Sequence, residues 1–204
     1  MDLMQIVQRS LSGYIFVIPG VLLYFMKLKN NQREQQQAHI ITAFVFCYYL
    51  IGMLTMTGIG SIKAFSPRFV WIPFAEMIRG PVDAVLNVFL FLPLGLFLPL
   101  LYERYNRISS VALAGFLLSL SVELVQMFGR GATDINDLIT NTVGACLGYC
   151  IYKLLSKLIQ KELREKFRTI RIKDRNEVLF FAVYSFLVMV TVQPLIIHTL
   201  FRLG

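Results

Sequence analysis

Charged residues are scarce in this chain. Asp, Glu, Lys and Arg make up 16% of its 204 residues, where a soluble domain carries about a quarter. That deficit excludes a solvated globular surface of ordinary composition. Cysteine is also sparse: Cys47, Cys146 and Cys150 all fall inside apolar runs. The spacing of the last two is neither a CxxC pair nor a zinc pattern, so packing is their expected role. No HExxH, nucleophile elbow or phosphate-binding loop is present, so no residue pattern names a reaction type. Acidic residues are outnumbered, with 12 Asp and Glu against 20 Lys and Arg and a net charge of +8. The basic residues flank apolar spans, as at a membrane surface, which argues against nucleic acid as partner.

What the chain does contain is long apolar runs, with hydrophobic residues at 56%. Each of six runs, 6–26, 38–59, 82–102, 108–128, 135–155 and 178–201, approaches the ~20 residues needed to cross ~30 Å of hydrocarbon. Backbone groups in lipid must be satisfied within each segment, so helices are expected. The predicted fold is therefore all-α, a polytopic helical bundle of about six membrane spans. It divides into two N-terminal spans with their loop (1–70), a three-span core (71–152), a basic segment (153–177) and a last span (178–204). Lys27-Leu28-Lys29-Asn30 follows the first apolar run where a signal peptide would carry small residues, so an uncleaved anchor is expected.

Loop charges set the expected orientation. The first, third and fifth loops hold Lys27, Lys29 and Arg33, then Arg104 and Arg107, then nine basic residues from Lys153 to Arg175. The opposite side holds Arg9, Lys63, Arg68, Arg79, Arg130 and Arg202. The richer side is expected in the cytoplasm, with both termini outside. In the fifth loop, Leu155, Ile159, Leu163, Phe167 and Ile170 recur at helical spacing. Lys153, Lys157, Lys161, Arg164 and Arg168 take another face. The segment reads either as a basic amphipathic helix on anionic lipid or as an extension of the fifth span.

Polar residues concentrate where spans three to five reach the outer side. Asp83 and Asn87 share one face of the third span. Ser119, Glu123 and Gln126 share a face of the fourth. Asp134, Asp137 and Asn141 share a face of the fifth, and Arg130 lies in the tight loop between the last two. Ionisable groups inside spans cost roughly 2.5–3.5 kcal/mol each on the insertion scale, so they face a bundle interior and have partners. One shared polar pocket is expected, with Arg130, joined by Arg79, as counter-charge. Asp83, Asp134 and Asp137 also suit helix caps. Glu123 does not, because it lies toward a helix C-terminus, where the dipole disfavours a negative charge. Glu123 is therefore the leading functional candidate, and a buried ion pair with Arg130 that only fixes helix packing is the alternative.

The segment from Asn87 through Pro93 to Gly95 is similar to the apolar Asn…Phe-x-Pro-x-Gly stretch of VanZ-like proteins. Ser119, Glu123, Gln126, Arg130, Asp134, Asp137, Asn141 and Gly144, at their spacing, resemble that family's main signature. Trp71-Ile72-Pro73-Phe74 resembles its Asn-Leu-Ile-Pro-Phe element, with Val70 and Trp71 in place of Asn-Leu. The resemblance runs from Trp71 to Tyr152. It implies a bacterial plasma-membrane protein, associated in some members with resistance to teicoplanin and related glycopeptides. The expected function is then a non-enzymatic one. The outward pocket of Glu123, Arg130, Asp134, Asp137, Asn87, Asn141, Gln126 and Asp83 binds a glycopeptide or a lipid-linked cell-wall precursor. The alternative is an enzyme modifying a lipid-linked envelope substrate. No cofactor is expected, although Glu123, Asp134 and Asp137 offer the oxygen ligands that a divalent cation takes. Membrane lipids are the expected surroundings, and neither reading fixes an oligomeric state.

Overall fold

A computed structural model describes residues 3–30, 36–59, 69–70, 81–127, 133–168 and 174–200. It is helical almost throughout. The helices are α1 (Leu3–Asn30), α2 (Gln37–Met56), α3 (Pro81–Leu101), α4 (Ile108–Gln126), α5 (Ile135–Leu158) and a short α6 (Lys161–Glu165). The last span is α7 (Asp174–Leu187) continuing through a π-helical stretch, Val188–Val192, into α8 (Gln193–Leu200). Six of these stretches are long and apolar enough to cross a membrane, so the chain is a multi-pass membrane protein. Large apolar side chains such as Leu23, Ile41, Phe89, Leu117 and Leu147 stand exposed. No soluble monomer spreads so much apolar surface on every helix; the bilayer covers it.

The chain forms two compact units. The first comprises Met1–Ile62 and Thr169–Gly204, so the last span joins the first two. Its core is Val17, Val21, Phe46, Cys47, Leu50, Ile51, Phe181 and Met189. Tyr24 stacks on Phe180 with centroids 5.0 Å apart, and the Tyr184 hydroxyl donates to the Phe16 carbonyl at 3.0 Å. The π stretch lies immediately before Gln193-Pro194. Proline lacks the N–H that would close an α-turn, and its ring crowds the carbonyl four residues earlier.

The second unit is Lys63–Arg168. Within it α3 and α5 run parallel and very close. A Cβ on Gly144 would lie 2.3 Å from the Val88 carbonyl oxygen. One on Gly148 would lie 2.0 Å from that of Leu92, and one on Gly95 1.9 Å from that of Ala145. Only glycine admits this approach, the small-residue seam by which membrane helices gain contact without a hydrophobic drive between them. On its other side α5 meets α4, where a Cβ on Gly115 would lie 2.8 Å from that of Ala145. Phe69 and Val70 pair in parallel with Thr133 and Asp134, the two residues that lead into α5.

The periodic basic run is not one helix. α5 continues to Leu158, past the expected end at 155, and then Ile159 and Gln160 turn extended before α6 begins. The Arg164 Nη1 donates to the Ser156 carbonyl at 3.1 Å, satisfying one of the acceptors that a helix C-terminus leaves open. That contact draws α6 back against the end of α5, so neither a continuous surface helix nor a plain extension forms.

Candidate functional site

Three helices of the second unit bring polar side chains to the end where α4 finishes and α5 begins. Asp134 is the N-cap of α5, with extended φ −115° and ψ 122°. Its Oδ1 accepts from the Asn136 backbone N–H and from Asn136 Nδ2, both at 2.8 Å. Such a cap leaves its own backbone N–H to be satisfied elsewhere. Here it donates to Glu123 Oε2 on α4, at 2.9 Å.

In an ordinary capping box the carboxylate three residues after the cap would take that N–H. Asp137 holds this position and is directed elsewhere, since its Oδ1 accepts from Asn87 Nδ2 on α3 at 2.6 Å. One turn deeper, Asn141 Nδ2 donates to Ser119 Oγ on α4 at 2.9 Å. The first turns of α5 are thus held to both neighbouring helices by side-chain hydrogen bonds.

Burial makes these contacts consequential. Glu123 and Asn141 are each 2% exposed, and Ser119 is fully buried. Asp134 and Asp137, half-buried, both act on Glu123 electrostatically. The Asn141 Oδ1 is buried and accepts no hydrogen bond among the described residues. Within the same unit, Lys161 pairs with Glu165 and Arg168 with Glu103 toward the other end of these helices. The assembled group is rich in acceptors, with three carboxylates and an amide oxygen beside one helix N-terminus. That chemistry suits a donor-rich or cationic group.

Of the residues singled out from sequence, Asn87, Glu123, Asp134, Asp137 and Asn141 come together. Gln126 ends α4, half-buried, one turn beyond Glu123. Asp83 does not join them; it is exposed in the first turn of α3 and shares no hydrogen bond with the cluster among the described residues. Arg130, Arg79 and Trp71-Ile72-Pro73-Phe74 lie outside the described residues. Among those residues no three His, Cys, Asp or Glu side chains are grouped to hold a metal ion.

A family model described as VanZ/LLP1 matches residues 12–156. The chain belongs to the VanZ/LLP1 family. It is also similar to Protein VanZ of Enterococcus faecium, at 43% identity over 161 residues, which cover 78% of this chain and 82% of the relative. No solved structure matches. The family match begins well before Trp71, where the motif resemblance starts, and so takes in most of the first span and all of the second.

A second polar group was not singled out by sequence. In the first unit His39 Nε2 lies 2.7 Å from Glu177 Oε1, with His39 fully buried, and the Tyr24 hydroxyl donates to Glu177 Oε2 at 3.2 Å. His39 opens α2 and Glu177 lies in the first turn of α7, each at the edge of a span. A lone polar residue at such an edge reads as an ordinary helix end, and 138 residues separate the two. Glu177 lies beyond the family match and His39 within it.

Proposed function

We propose that this VanZ/LLP1 member lowers bacterial susceptibility to teicoplanin-type glycopeptides by binding the drug or a lipid-linked cell-wall precursor. The polar end of α3, α4 and α5 is its binding site. The observation that carries the reading is Glu123, almost wholly buried near the C-terminal end of its own helix yet joined to Asp134, with Asp137 and Asn87 alongside. Packing alone would be served more cheaply by apolar residues, because buried charges cost more than they return unless fully compensated. Loop charges favour an orientation with this end outward, facing the side on which glycopeptides and wall precursors occur.

In this reading the carboxylates engage ammonium or hydroxyl groups of the ligand, and the Asn141 amide oxygen takes a further donor. Arg130 stands four residues after Gln126 and four before Asp134. At ~3.3–3.6 Å per residue, chain connectivity keeps it within about 15 Å of both. It supplies the counter-charge and holds a ligand phosphate or carboxylate. The reading requires no covalent step.

Two measurements test it together: teicoplanin susceptibility of a sensitive bacterium expressing the chain, and binding of labelled teicoplanin and of lipid-linked precursor to the purified protein. Replacing Glu123 by Gln keeps a hydrogen-bond acceptor and removes the charge. Losing one charge-assisted contact weakens binding about tenfold or more, and protection falls with it. Unchanged affinity and protection in Glu123→Gln, Asp137→Asn and Asn87→Leu alike, with the proteins present in the membrane, would rule the site out.

A further inference from the structure

The basic residues at the far end of the second unit fall into two groups with different tasks. Lys153 Nζ donates to Asn106 Oδ1 at 2.7 Å and lies 5.5 Å from the centre of the Tyr149 ring. Arg164 reaches the Ser156 carbonyl. Arg168 pairs with Glu103, and its Nη2 donates to the Tyr152 hydroxyl at 3.2 Å. These three are half-buried and turned inward, tying the end of α5 and α6 to the link between α3 and α4.

Lys157, Lys161 and Lys166 are the other group, all exposed. Lys161 approaches only Glu165, at 3.8 Å, with both side chains in the open, a pair worth little. The contacts of Lys153 and Arg168 bring the exposed Arg104 and Arg107 to the same end. Beside the lysines stands Leu158, 83% exposed, an apolar side chain that no protein surface covers among the described residues. Cations next to an uncovered leucine, at the mouth of a membrane span, match the boundary between acyl chains and anionic headgroups.

We propose that this end of the second unit is a docking surface for anionic phospholipid. Lys157, Lys161 and Lys166 meet the headgroup phosphates and Leu158 enters the acyl layer. Lys153, Arg164 and Arg168 are bonded inward and do not meet the lipid. The break at Ile159-Gln160 separates Lys161, Arg164, Lys166 and Arg168 from the α5 stretch that carries Lys153 and Lys157.

The test uses the purified full-length chain in mixed micelles, where phosphatidylglycerol competes with phosphatidylcholine and native mass spectrometry reads the bound lipid. The parent protein retains phosphatidylglycerol preferentially, and added salt weakens the preference. Each lysine near an anionic surface contributes about fivefold, so K157Q/K161Q/K166Q lowers the preference about a hundredfold. R164Q, which loosens α6 from α5, lowers the unfolding midpoint while the lipid preference stays near the parent value. The proposal is overturned if the triple variant keeps its preference, if R164Q loses as much as the triple variant, or if free glycerol phosphate displaces the lipid. None of these outcomes bears on drug binding, which Glu123→Gln tests separately.

Discussion

Adding one methyl group at Gly144 should loosen the candidate site from a distance. The new Cβ would lie 2.3 Å from the Val88 carbonyl oxygen and 3.0 Å from the Val88 Cα. Ordinary contact begins at 3.4 Å, so α5 must withdraw from α3 by about 1.1 Å, a displacement that close-packed helices resist. Val88 is the residue after Asn87, whose hydrogen bond to Asp137 measures 2.6 Å. Moving the helices apart by the same amount stretches that bond to roughly 3.7 Å, outside the working range for N–H···O. Overpacking costs about 1–3 kcal/mol, and the lost interhelical bond adds about 0.6–1.7 kcal/mol. The better helix propensity of alanine returns about 1 kcal/mol, leaving a net loss of about 1–4 kcal/mol.

Reversible unfolding of the purified protein by SDS in mixed micelles measures this loss. Gly52→Ala is the control, because a Cβ there meets nothing within 4 Å and carries the propensity gain alone. Ligand affinity should fall in Gly144→Ala and not in Gly52→Ala. Equal stability of the two variants would refute the claim that the α3–α5 seam sets the geometry of the polar end.

Two further outcomes follow from the described hydrogen bonds. Asn87→Leu and Asp137→Leu, combined in a double-mutant cycle, should show a coupling of about 0.6–1.7 kcal/mol in the same unfolding assay; a coupling near zero would mean that the 2.6 Å contact adds nothing. His39→Leu alone should cost about 3–5 kcal/mol, because it leaves Glu177 without its buried partner, whereas His39→Leu with Glu177→Met should recover most of that loss. A double variant as unstable as the single would show that the pair is not the source of the effect.

The spans were legible because nothing competes with hydrophobicity when the solvent is lipid. A helix start was also readable where a residue type demands it, as Asp134 does at the entry of α5. The run from Leu155 to Ile170 misled because its period is helical while its ends are decided by tertiary contacts. Arg164 closes the chain back on Ser156, and periodicity carries no trace of that. His39 with Glu177 was missed for a related reason: pairing between distant span edges is a property of the packed unit. Within the site, the shared faces placed Glu123, Asp137, Asn87 and Asn141 together. Asp83 was grouped with them because it shares a face with Asn87, but in the first turn of α3 it is exposed.

The way Glu123 is held explains how a carboxylate survives so close to the wrong end of a helix. The negative pole of α4 opposes it, but the link to α5 is short, and the positive pole of α5 lies where that link ends. By taking the Asp134 N–H, Glu123 supplies from a neighbouring helix the acceptor that Asp137 would supply in a self-contained capping box. Asp137 is thereby released to bind Asn87. A structural role and a ligand-directed role therefore coexist in one side chain, and they separate only under substitutions that divide charge from hydrogen bonding. Glu123→Ala leaves a donor at the α5 terminus without its acceptor and costs about 1–3 kcal/mol of stability, with any loss of protection inseparable from that damage. Glu123→Gln keeps an acceptor for the same N–H and removes the negative charge. Protection lost in Glu123→Gln at parental stability assigns the charge to the ligand. Protection lost only in proportion to stability assigns it to the fold.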